Sequence, residues 1–235
     1  MKKRHGILVL LLVLAFGVCD FLYNYDGQSP TQNTRMAGSY CPYEEIPKYD
    51  GNDVTTMNGN VPYTDFSEYE YGQEYYSPMD SLGRCGQAVA ILCPDTLPTE
   101  ERGEIGHVRP SGWHTIKYGG IIDGNYLYNR CHLIAFSLAG ENDNELNLVT
   151  GTRYMNVEGM LPYEMQVLDY IKDTGGSVGY RVTPMFMGDE LVCRGVLMEA
   201  ASLDSDGICF CVFVHNIQPG IEIDYLTGES RLAAQ

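Results

Sequence analysis

The stretch from residue 128 to residue 164 contains side chains that could act together on a phosphodiester. His132 follows Arg130 by two positions, and Asn147 precedes Asn156 by nine. An imidazole can serve as a general base near neutral pH, and an arginine two positions away in extended chain lies on the same face, where it can hold a phosphate oxygen. Because Mg²⁺ keeps most of its waters and takes few protein oxygens, a single Asn carbonyl is a sufficient anchor for it. These residue types predict metal-assisted hydrolysis of a phosphodiester.

Glu164 is an acid on the apolar side of a predicted helix. A proline suited to the first helical position and a Gly-Gly pair suited to the end predict a helix over about 162–174. Three apolar residues at helical spacing lie in line with the acid: Val167, Leu168 and Ile171. A carboxylate on a buried face needs an arginine, a hydrated metal ion or the helix N-terminus as its partner, and the sequence leaves all three open.

Each of these polar residues also has a purely structural explanation. His132 could be a polar residue at the end of a strand, Asn147 a loop cap and Asn156 a helix N-cap. The prediction of a functional site therefore rests on the combination of residues and not on any one of them.

The elements around this stretch are mostly strands. Residues 44–78 are rich in tyrosine and acid and carry turn signals, which predicts an ordered but irregular segment. Apolar or alternating runs predict strands at 85–93, 113–118, 127–131, 178–182, 191–193, 208–214 and 221–225. The predicted order is strands that lead into the motif, then a helix, then an antiparallel meander. This order predicts an α+β fold with a central antiparallel β-sheet and flanking helices.

The N-terminus predicts export. Residues 2–4 are basic and residues 7–18 are apolar, a run shorter than the roughly 20 residues that span a bilayer. Residues 1–19 are therefore predicted to be a signal peptide or an N-terminal anchor, with a lipid-modified Cys19 as a third alternative. Residues 20–43 are predicted to be a flexible tether and residues 44–235 a single domain. All three alternatives place that domain outside the cytoplasm, secreted or at the cell surface, and only an anchor would bring it to a membrane.

Eight cysteines in an exported chain are compatible with disulfides. Removal of Cys19 with a signal peptide leaves an odd number, so at least one cysteine would have no partner within the chain. No spacing resembles that of a structural zinc site, and the sequence favours no particular pairing.

The charge of the chain conflicts with a nucleic-acid substrate. The formal net charge is −16, whereas phosphate binding normally requires a basic surface. Much of the acid lies between residues 20 and 80, and several arginines surround the motif: Arg102, Arg109, Arg130 and Arg153. Because a site depends on its local field, the conflict is reduced but not removed.

The motifs of this chain resemble those of the DNA/RNA non-specific endonucleases of the ββα-metal superfamily, in the branch of exported streptococcal-type nucleases. Their signature, Asp-Arg-Gly-His or Asn-Arg-Gly-His, stands here as Asn-Arg-Cys-His at 129–132. The resemblance runs from about residue 46 to residue 232. It also takes in the motifs at 82–86, 109–113, 151–156 and 218–220.

The resemblance implies a role for each residue of the motif. His132 matches the general base that deprotonates the attacking water, and Asn156 matches the protein ligand of a single hydrated Mg²⁺. Asn147 matches a second asparagine that supports the site, and Glu164 matches the acid that organises metal-bound water. Arg130 matches the signature arginine, which is expected to position or neutralise phosphate.

The resemblance also implies the cofactor, substrates and products. The expected cofactor is Mg²⁺, with Mn²⁺ as a substitute, and the expected substrates are DNA and RNA. Products would carry a 5′-phosphate and a 3′-hydroxyl, and contacts to phosphates would make cleavage indifferent to sequence. Arg109 is a candidate further phosphate contact, and Arg153 is either a contact to the substrate or an ordinary surface residue. No stable protein partner is predicted.

Two departures from the signature keep other functions open. Asn129 replaces the acid, and Cys131 replaces the glycine, so this backbone position cannot need a conformation reserved for glycine. A thiol beside the base could also make the site sensitive to oxidation. The alternatives are an inactive extracellular nucleic-acid-binding or adhesion module on the same fold, and a disulfide-stapled surface module. The complete set of candidate site residues argues against the inactive module, since a decayed site should have lost some member.

Overall fold

The computed structural model describes residues 46–234. The predictions of a signal or anchor at 1–19 and of a tether at 20–43 lie outside this described part. The strands are β1 Val54–Thr56, β2 Glu74–Tyr76, β3 Ala88–Leu92, β4 Tyr128–His132, β5 Leu148–Thr152, β6 Val178–Met185, β7 Gly195–Ser202, β8 Cys209–His215, β9 Ile221–Ile223 and β10 Ser230–Leu232.

Six of these strands form one antiparallel sheet in the order β1-β8-β7-β6-β3-β2. A separate pair, β4 with β5, carries the signature residues, and β9 pairs with β10. The predicted α+β fold with a central antiparallel sheet is therefore confirmed.

The helices are few and short. They are the α-helices α1 Phe136–Ala139 and α2 Leu161–Thr174, the π-helix Met155–Met160, and the 3₁₀ turns Asn58–Asn60, Phe66–Glu68, Pro94–Thr96 and Glu145–Asn147. None of the helices within residues 46–234 is long and apolar enough to cross a membrane.

Helix α2 begins and ends where the sequence predicts. Pro162 lies in its first turn, and Gly175 at its C-cap adopts a positive φ of 69° and donates its N–H to the carbonyl of Ile171. The helix buries Val167, Leu168 and Ile171 in the main core, together with side chains of β3, β6, β7 and β8. The strand pair β4–β5 adds Cys131 and Val149 to the same core, so the site is attached to the most buried part of the fold.

Two predicted strands are wrong. Residues 113–118 contribute only an isolated bridge between Lys117 and Tyr126. Residues 191–193 form no strand, because the N–H groups of Leu191 and Val192 both donate to the carbonyl of Tyr225 at 3.0 Å. The strand that follows β6 is instead β7. Its first six residues are buried on both faces, so it has no alternating pattern to detect.

A buried charged residue is a second reason why the sequence does not predict β7. Glu199 lies in this strand with none of its surface exposed, 3.6 Å from the guanidinium of Arg181 on β6. Its Oε1 accepts hydrogen bonds from the backbone N–H groups of Tyr63 and Thr64, at 2.7 and 3.0 Å. The acid thus anchors the segment between β1 and β2, which was predicted to be irregular and contains two 3₁₀ turns.

Candidate active site

Three of the four signature residues, Asn129, Arg130 and His132, line a cavity of about 770 Å³ beside the β4–β5 pair. His132, at the end of β4, is paired in register with Leu148, and Arg130 with Thr150. Residues two apart on a strand share a face, so Arg130 and His132 both line the cavity. Asn156 and Glu164 line it as well. The structure therefore brings together four of the seven predicted site residues: Arg130, His132, Asn156 and Glu164.

Backbone contacts fix the tautomer of His132. The imidazole is 6% exposed, and its Nε2 lies 2.8 Å from the carbonyl oxygen of Asn142. A carbonyl only accepts, so Nε2 must carry the proton and Nδ1 must present its lone pair. Burial lowers the pKa of His132, and the charge of Arg102 lowers it further, against the opposing effect of the Asn142 carbonyl. The ring is thus kept as a neutral base at physiological pH.

Arg102 is a site residue that the sequence analysis missed. Its guanidinium nitrogen lies 3.4 Å from Nδ1 of His132, and the residue lines the same cavity. Its neighbour Gly103 allows this approach, because a Cβ there would stand 2.8 Å from the Asn142 side chain. The sequence shows Arg102 only as one of several arginines near the motif, in a loop without periodicity, so no sequence signal marks it.

The charge of Arg102 should affect how the cleavage rate depends on pH. Replacement of Arg102 by Ala should raise the pKa of His132 and so move the acid limb of the kcat/KM profile to higher pH, because the base works only when unprotonated. The measurement is the pH profile of cleavage of one oligonucleotide by both proteins. Arg231→Ala, a change at an exposed arginine paired with Glu222, is the matched control and should leave the profile in place. An unmoved or oppositely shifted acid limb in Arg102→Ala would contradict this coupling.

Glu164 has the inward orientation that the helical pattern predicts. It is 9% exposed in the first turn of α2, and burial raises the pKa of its carboxyl to about 7, opposed by the charge of Arg102. A carboxylate this buried gains from a nearby cation. Of the three partners left open by the sequence, an arginine contributes here, because the charge of Arg102 opposes the effect of burial.

Asn156 is presented by a π-helix. Residues Met155–Met160 form this turn directly after β5 and run into α2. Thr152 anchors its start, because its hydroxyl accepts the N–H of Met155 at 2.9 Å and donates to the carbonyl of Ile217 at 2.6 Å. Such turns occur mostly as single irregularities in helices, often at functional sites. The side chain of Asn156 is half-buried and lines the cavity.

The π-helix can approach the sheet closely because residue 159 is glycine. A Cβ at Gly159 would stand 2.3 Å from a methyl group of Val214. Gly159→Ala should therefore lower the free energy of unfolding by about 1–3 kcal/mol, measured by urea denaturation. Val214→Ala removes buried methyl groups and lowers stability by itself, but it should cost less in the Gly159→Ala background than in the parent, because it removes the clash. Gly106→Ala, where a Cβ meets no atom within 4 Å, is the control. Equal stability of Gly159→Ala and the parent would refute the close-packing explanation.

Asn147 does not line the cavity but clamps the chain beside it. It is fully buried, its Oδ1 accepts the N–H of Ile134 at 2.8 Å, and its Nδ2 donates to the carbonyl of Ile134 at 3.0 Å. Its backbone carbonyl also accepts the N–H of Leu133. These bonds fix the turn that follows His132. The geometry favours a positioning role for Asn147, in agreement with the support that the resemblance implies.

Arg130 is half-buried against the loop at 106–113. Its Nε donates to the carbonyl of Val108 at 2.6 Å, its NH2 group donates to that of Gly106 at 2.8 Å, and its guanidinium lies 3.9 Å from the centre of the Trp113 ring. Arg109 donates to the same two carbonyls. Burial, and then the charge of Arg109, lower the pKa of Arg130. Arg130 is therefore held rigidly at the cavity, whereas Arg109 is exposed and lies outside its lining.

Arg153 also lies outside the cavity lining. Its guanidinium forms an ion pair with Asp123 at 3.0 Å, and that carboxylate is 94% exposed. This pair connects the residue after β5 to the loop that precedes β4. A contact of Arg153 with substrate stays a prediction.

Cys131 points away from the cavity into the core. Its side chain has no exposed surface, and burial raises the pKa of its thiol well above the usual value. The backbone at this position is a regular strand without a positive φ, so a residue other than glycine is tolerated, as the sequence indicates. A buried, protonated thiol is a poor target for oxidants, and this placement disfavours the oxidation sensitivity that the sequence suggested.

The donor set at the cavity fits a hydrated divalent cation. The amide of Asn156 and the carboxyl of Glu164 offer oxygen ligands of the kind that Mg²⁺ prefers. Between residues 46 and 234 there is no group of three or more His, Cys, Asp or Glu suited to hold a metal. An ion held by one or two protein oxygens would keep most of its water, as Mg²⁺ commonly does.

Strand β4, strand β5 and the helix that follows them, with a histidine, an asparagine and a glutamate on one cavity, match the ββα arrangement that the resemblance predicts. A family model described as DNA/RNA non-specific endonuclease matches residues 63–203, and the chain belongs to this family. A deoxyribonuclease of Streptococcus dysgalactiae subsp. equisimilis is 37% identical over 110 residues. That match covers 44% of this chain and 33% of the relative, so the chain matches about a third of the length of that protein.

Solved structures agree with this assignment. NucA from Streptococcus agalactiae without metal has a TM-score of 0.68 at 26% identity, over 77% of this chain and 87% of that one. The same nuclease with magnesium bound has a TM-score of 0.66 with the same identity and coverage. The Sda1 nuclease with a bound zinc ion has a TM-score of 0.66 at 27% identity, over 78% and 97%. The predicted family and its streptococcal branch are confirmed.

Proposed function

We propose that this protein is an exported endonuclease that hydrolyses DNA and RNA with His132 as its general base and Mg²⁺ as its cofactor. The observation that carries the proposal is the fixed tautomer of His132. Its Nε2 is bonded to the Asn142 carbonyl, so its Nδ1 presents a lone pair, 3.4 Å from the Arg102 guanidinium, and the residue lines a cavity shared with Asn156 and Glu164. A base held in one protonation state at an oxygen-ligand site has the features needed to activate water for attack on phosphorus.

Each side chain has a distinct part in the proposed reaction. Nδ1 of His132 accepts a proton from the attacking water, while Arg102 and Arg130 hold phosphate oxygens in line with it. When bound at Asn156, Mg²⁺ would neutralise charge on the phosphate and stabilise the departing 3′-oxygen. Glu164 orients water around that position, and Asn147 fixes the turn after His132. Attack by water with departure of the 3′-oxygen leaves a 5′-phosphate.

The choice of metal is supported by the relatives. The Streptococcus agalactiae nuclease was solved with magnesium and the Sda1 nuclease with zinc, so divalent ions occupy this fold. The oxygen donors of this cavity favour a hard ion, and Mn²⁺ is the expected substitute. Export rests on the basic and apolar residues at 2–18, and phosphate contacts predict little sequence preference.

Closed circular plasmid DNA and a structured RNA provide the test. The purified chain should nick and linearise the plasmid and cut the RNA in Mg²⁺, and both activities should stop in EDTA. Ligation of an adaptor that requires a 5′-phosphate would identify the product ends. Intact plasmid after incubation with Mg²⁺ would favour the inactive binding module instead. Cutting that persists in EDTA would remove the metal from the mechanism.

A further inference from the structure

A hairpin-like loop beside the cavity carries an exposed tyrosine that the proposed mechanism does not use. Tyr126 is 43% exposed and yet lines the cavity that holds His132. The ammonium group of Lys117 lies 4.5 Å from the centre of its ring. A cation therefore lies over one face of the ring, and much of the tyrosine remains exposed at the cavity.

The loop that carries Tyr126 is rigid. Lys117 and Tyr126 form an antiparallel bridge, and Tyr118 donates its N–H to the carbonyl of Asn125 at 2.8 Å. Ile122, inside the loop, is 5% exposed and packs in a cluster with Leu127 and Tyr128.

An ion pair ties this loop to the metal-site segment. Asp123 bonds Arg153, which lies between β5 and the π-helix that presents Asn156. This pair links the loop of Tyr126 to the segment that leads to Asn156.

Because the chain is strongly acidic, an aromatic surface at the cavity is useful for binding nucleic acid. A protein with a formal net charge of −16 gains little long-range attraction for a polyanion. Stacking of bases on aromatic rings supplies affinity that tolerates any sequence, because every base has a π-face. In a duplex the bases already stack on each other, and exposing one costs unpairing and unstacking energy. An aromatic ring at the cavity therefore favours a strand whose bases are free.

We propose that Tyr126, backed by Lys117, is a stacking platform for an unpaired base next to the scissile phosphate, which makes the enzyme prefer single-stranded over duplex substrate. This inference rests on the proposed function, because it assigns the substrate form that the same cavity accepts. The ring would take the base, and Arg130 and Arg102, which line the same cavity, would take phosphate oxygens.

Binding in EDTA tests the platform without cleavage. Fluorescence anisotropy would compare a labelled single-stranded 12-mer with its duplex for the parent, Tyr126→Ala and Tyr126→Phe. Tyr126→Ala should weaken single-strand binding about 5- to 100-fold, the range expected for loss of one stacked base, and should leave duplex binding nearly unchanged. Tyr126→Phe keeps the ring and should bind like the parent. Tyr71→Ala, at a tyrosine that is 60% exposed and outside the cavity lining, is the matched control.

A substrate without bases tests whether Tyr126 binds the base. A single strand with abasic sites offers the same phosphates without bases, so the parent should lose affinity for it by a similar factor. Tyr126→Ala should then bind the normal and abasic strands nearly alike, because the ring that reads the base is gone. Unfolding temperatures of all variants would confirm that they are folded.

The outcomes separate the two proposals. Equal loss of single-strand and duplex affinity in Tyr126→Ala, or no loss at all, would overturn the stacking platform. If the parent still cuts plasmid in Mg²⁺, the proposed nuclease function stands in that case. If the parent cuts nothing in Mg²⁺ but shows the predicted stacking in EDTA, the platform stands and the catalytic proposal fails.

Discussion

Replacement of His132 by Ala is expected to reduce the rate of phosphodiester cleavage by about 10²- to 10⁴-fold, the usual contribution of a general base. The loss should appear in kcat, because Nδ1 accepts the proton only as the water attacks. Substrate affinity in EDTA should change little, since the arginines at the cavity are retained. The assay is single-turnover cleavage of a labelled oligonucleotide at saturating enzyme.

His107→Ala is a suitable control for this experiment. His107 has a 65% exposed side chain, lies 3.4 Å from Asp143 and does not line the cavity. Its replacement should leave the rate close to that of the parent. If His132→Ala cleaved at the parental rate, the base would have to be another group, although the family and the fold would remain as described.

Glu164→Gln is expected to change activity and stability in opposite directions. Burial holds the pKa of Glu164 at about 7, above its usual value of 4.5. Below pH 4.5 the carboxyl is protonated in both folded and unfolded protein, so it has no effect on stability. Between pH 4.5 and 7 the unfolded chain releases the proton while the folded protein keeps it, so the free energy of unfolding falls as pH rises. Above pH 7 the loss is complete and on the order of 3 kcal/mol.

The glutamine variant should not show this pH-dependent loss. In EDTA at pH 8, Glu164→Gln should be more stable than the parent, and the two should converge near pH 4 in urea denaturation. In Mg²⁺ its cleavage rate should fall by about 10- to 100-fold, because the group that orients water at the metal is altered. Asp169→Asn, an exposed acid on the same helix, should change neither quantity much. If Glu164→Gln were less stable than the parent at pH 8, a favourable partner would have to stabilise the carboxylate by more than burial destabilises it.

The sequence predicted the parts of this molecule that depend on local patterns. Proline and glycine mark the ends of helix α2, and the spacing of Glu164 from its apolar neighbours predicted its burial. The residues after Gly195 could not be recognised as a strand, because both faces are buried and Glu199 interrupts the apolar run. Its compensating contacts come from Arg181 and from the segment near Thr64, far away in the chain.

The site residues likewise divide into those that a local sequence pattern marks and those that it does not. The motif residues Arg130, His132, Asn156 and Glu164 follow from the resemblance, and the structure places them around one cavity. Arg102 and Tyr126 lie in stretches without periodicity or motif, and they join the cavity of His132 only when the loops fold. Sequence reasoning therefore found the residues of the motif and missed those that set its electrostatics and its aromatic surface.

The central claim is that the imidazole of His132 acts as the base at this cavity. Chemical rescue tests it most directly: His132→Gly leaves room for an added imidazole, with Asn156→Ala as the comparison. With Mg²⁺ present, we expect His132→Gly to be nearly inactive and to regain cleavage as imidazole is added, with the rescue growing as pH rises through the pKa of free imidazole. Asn156→Ala should gain nothing from imidazole. Full cleavage by His132→Gly without imidazole, or equal rescue of both variants, would contradict this assignment.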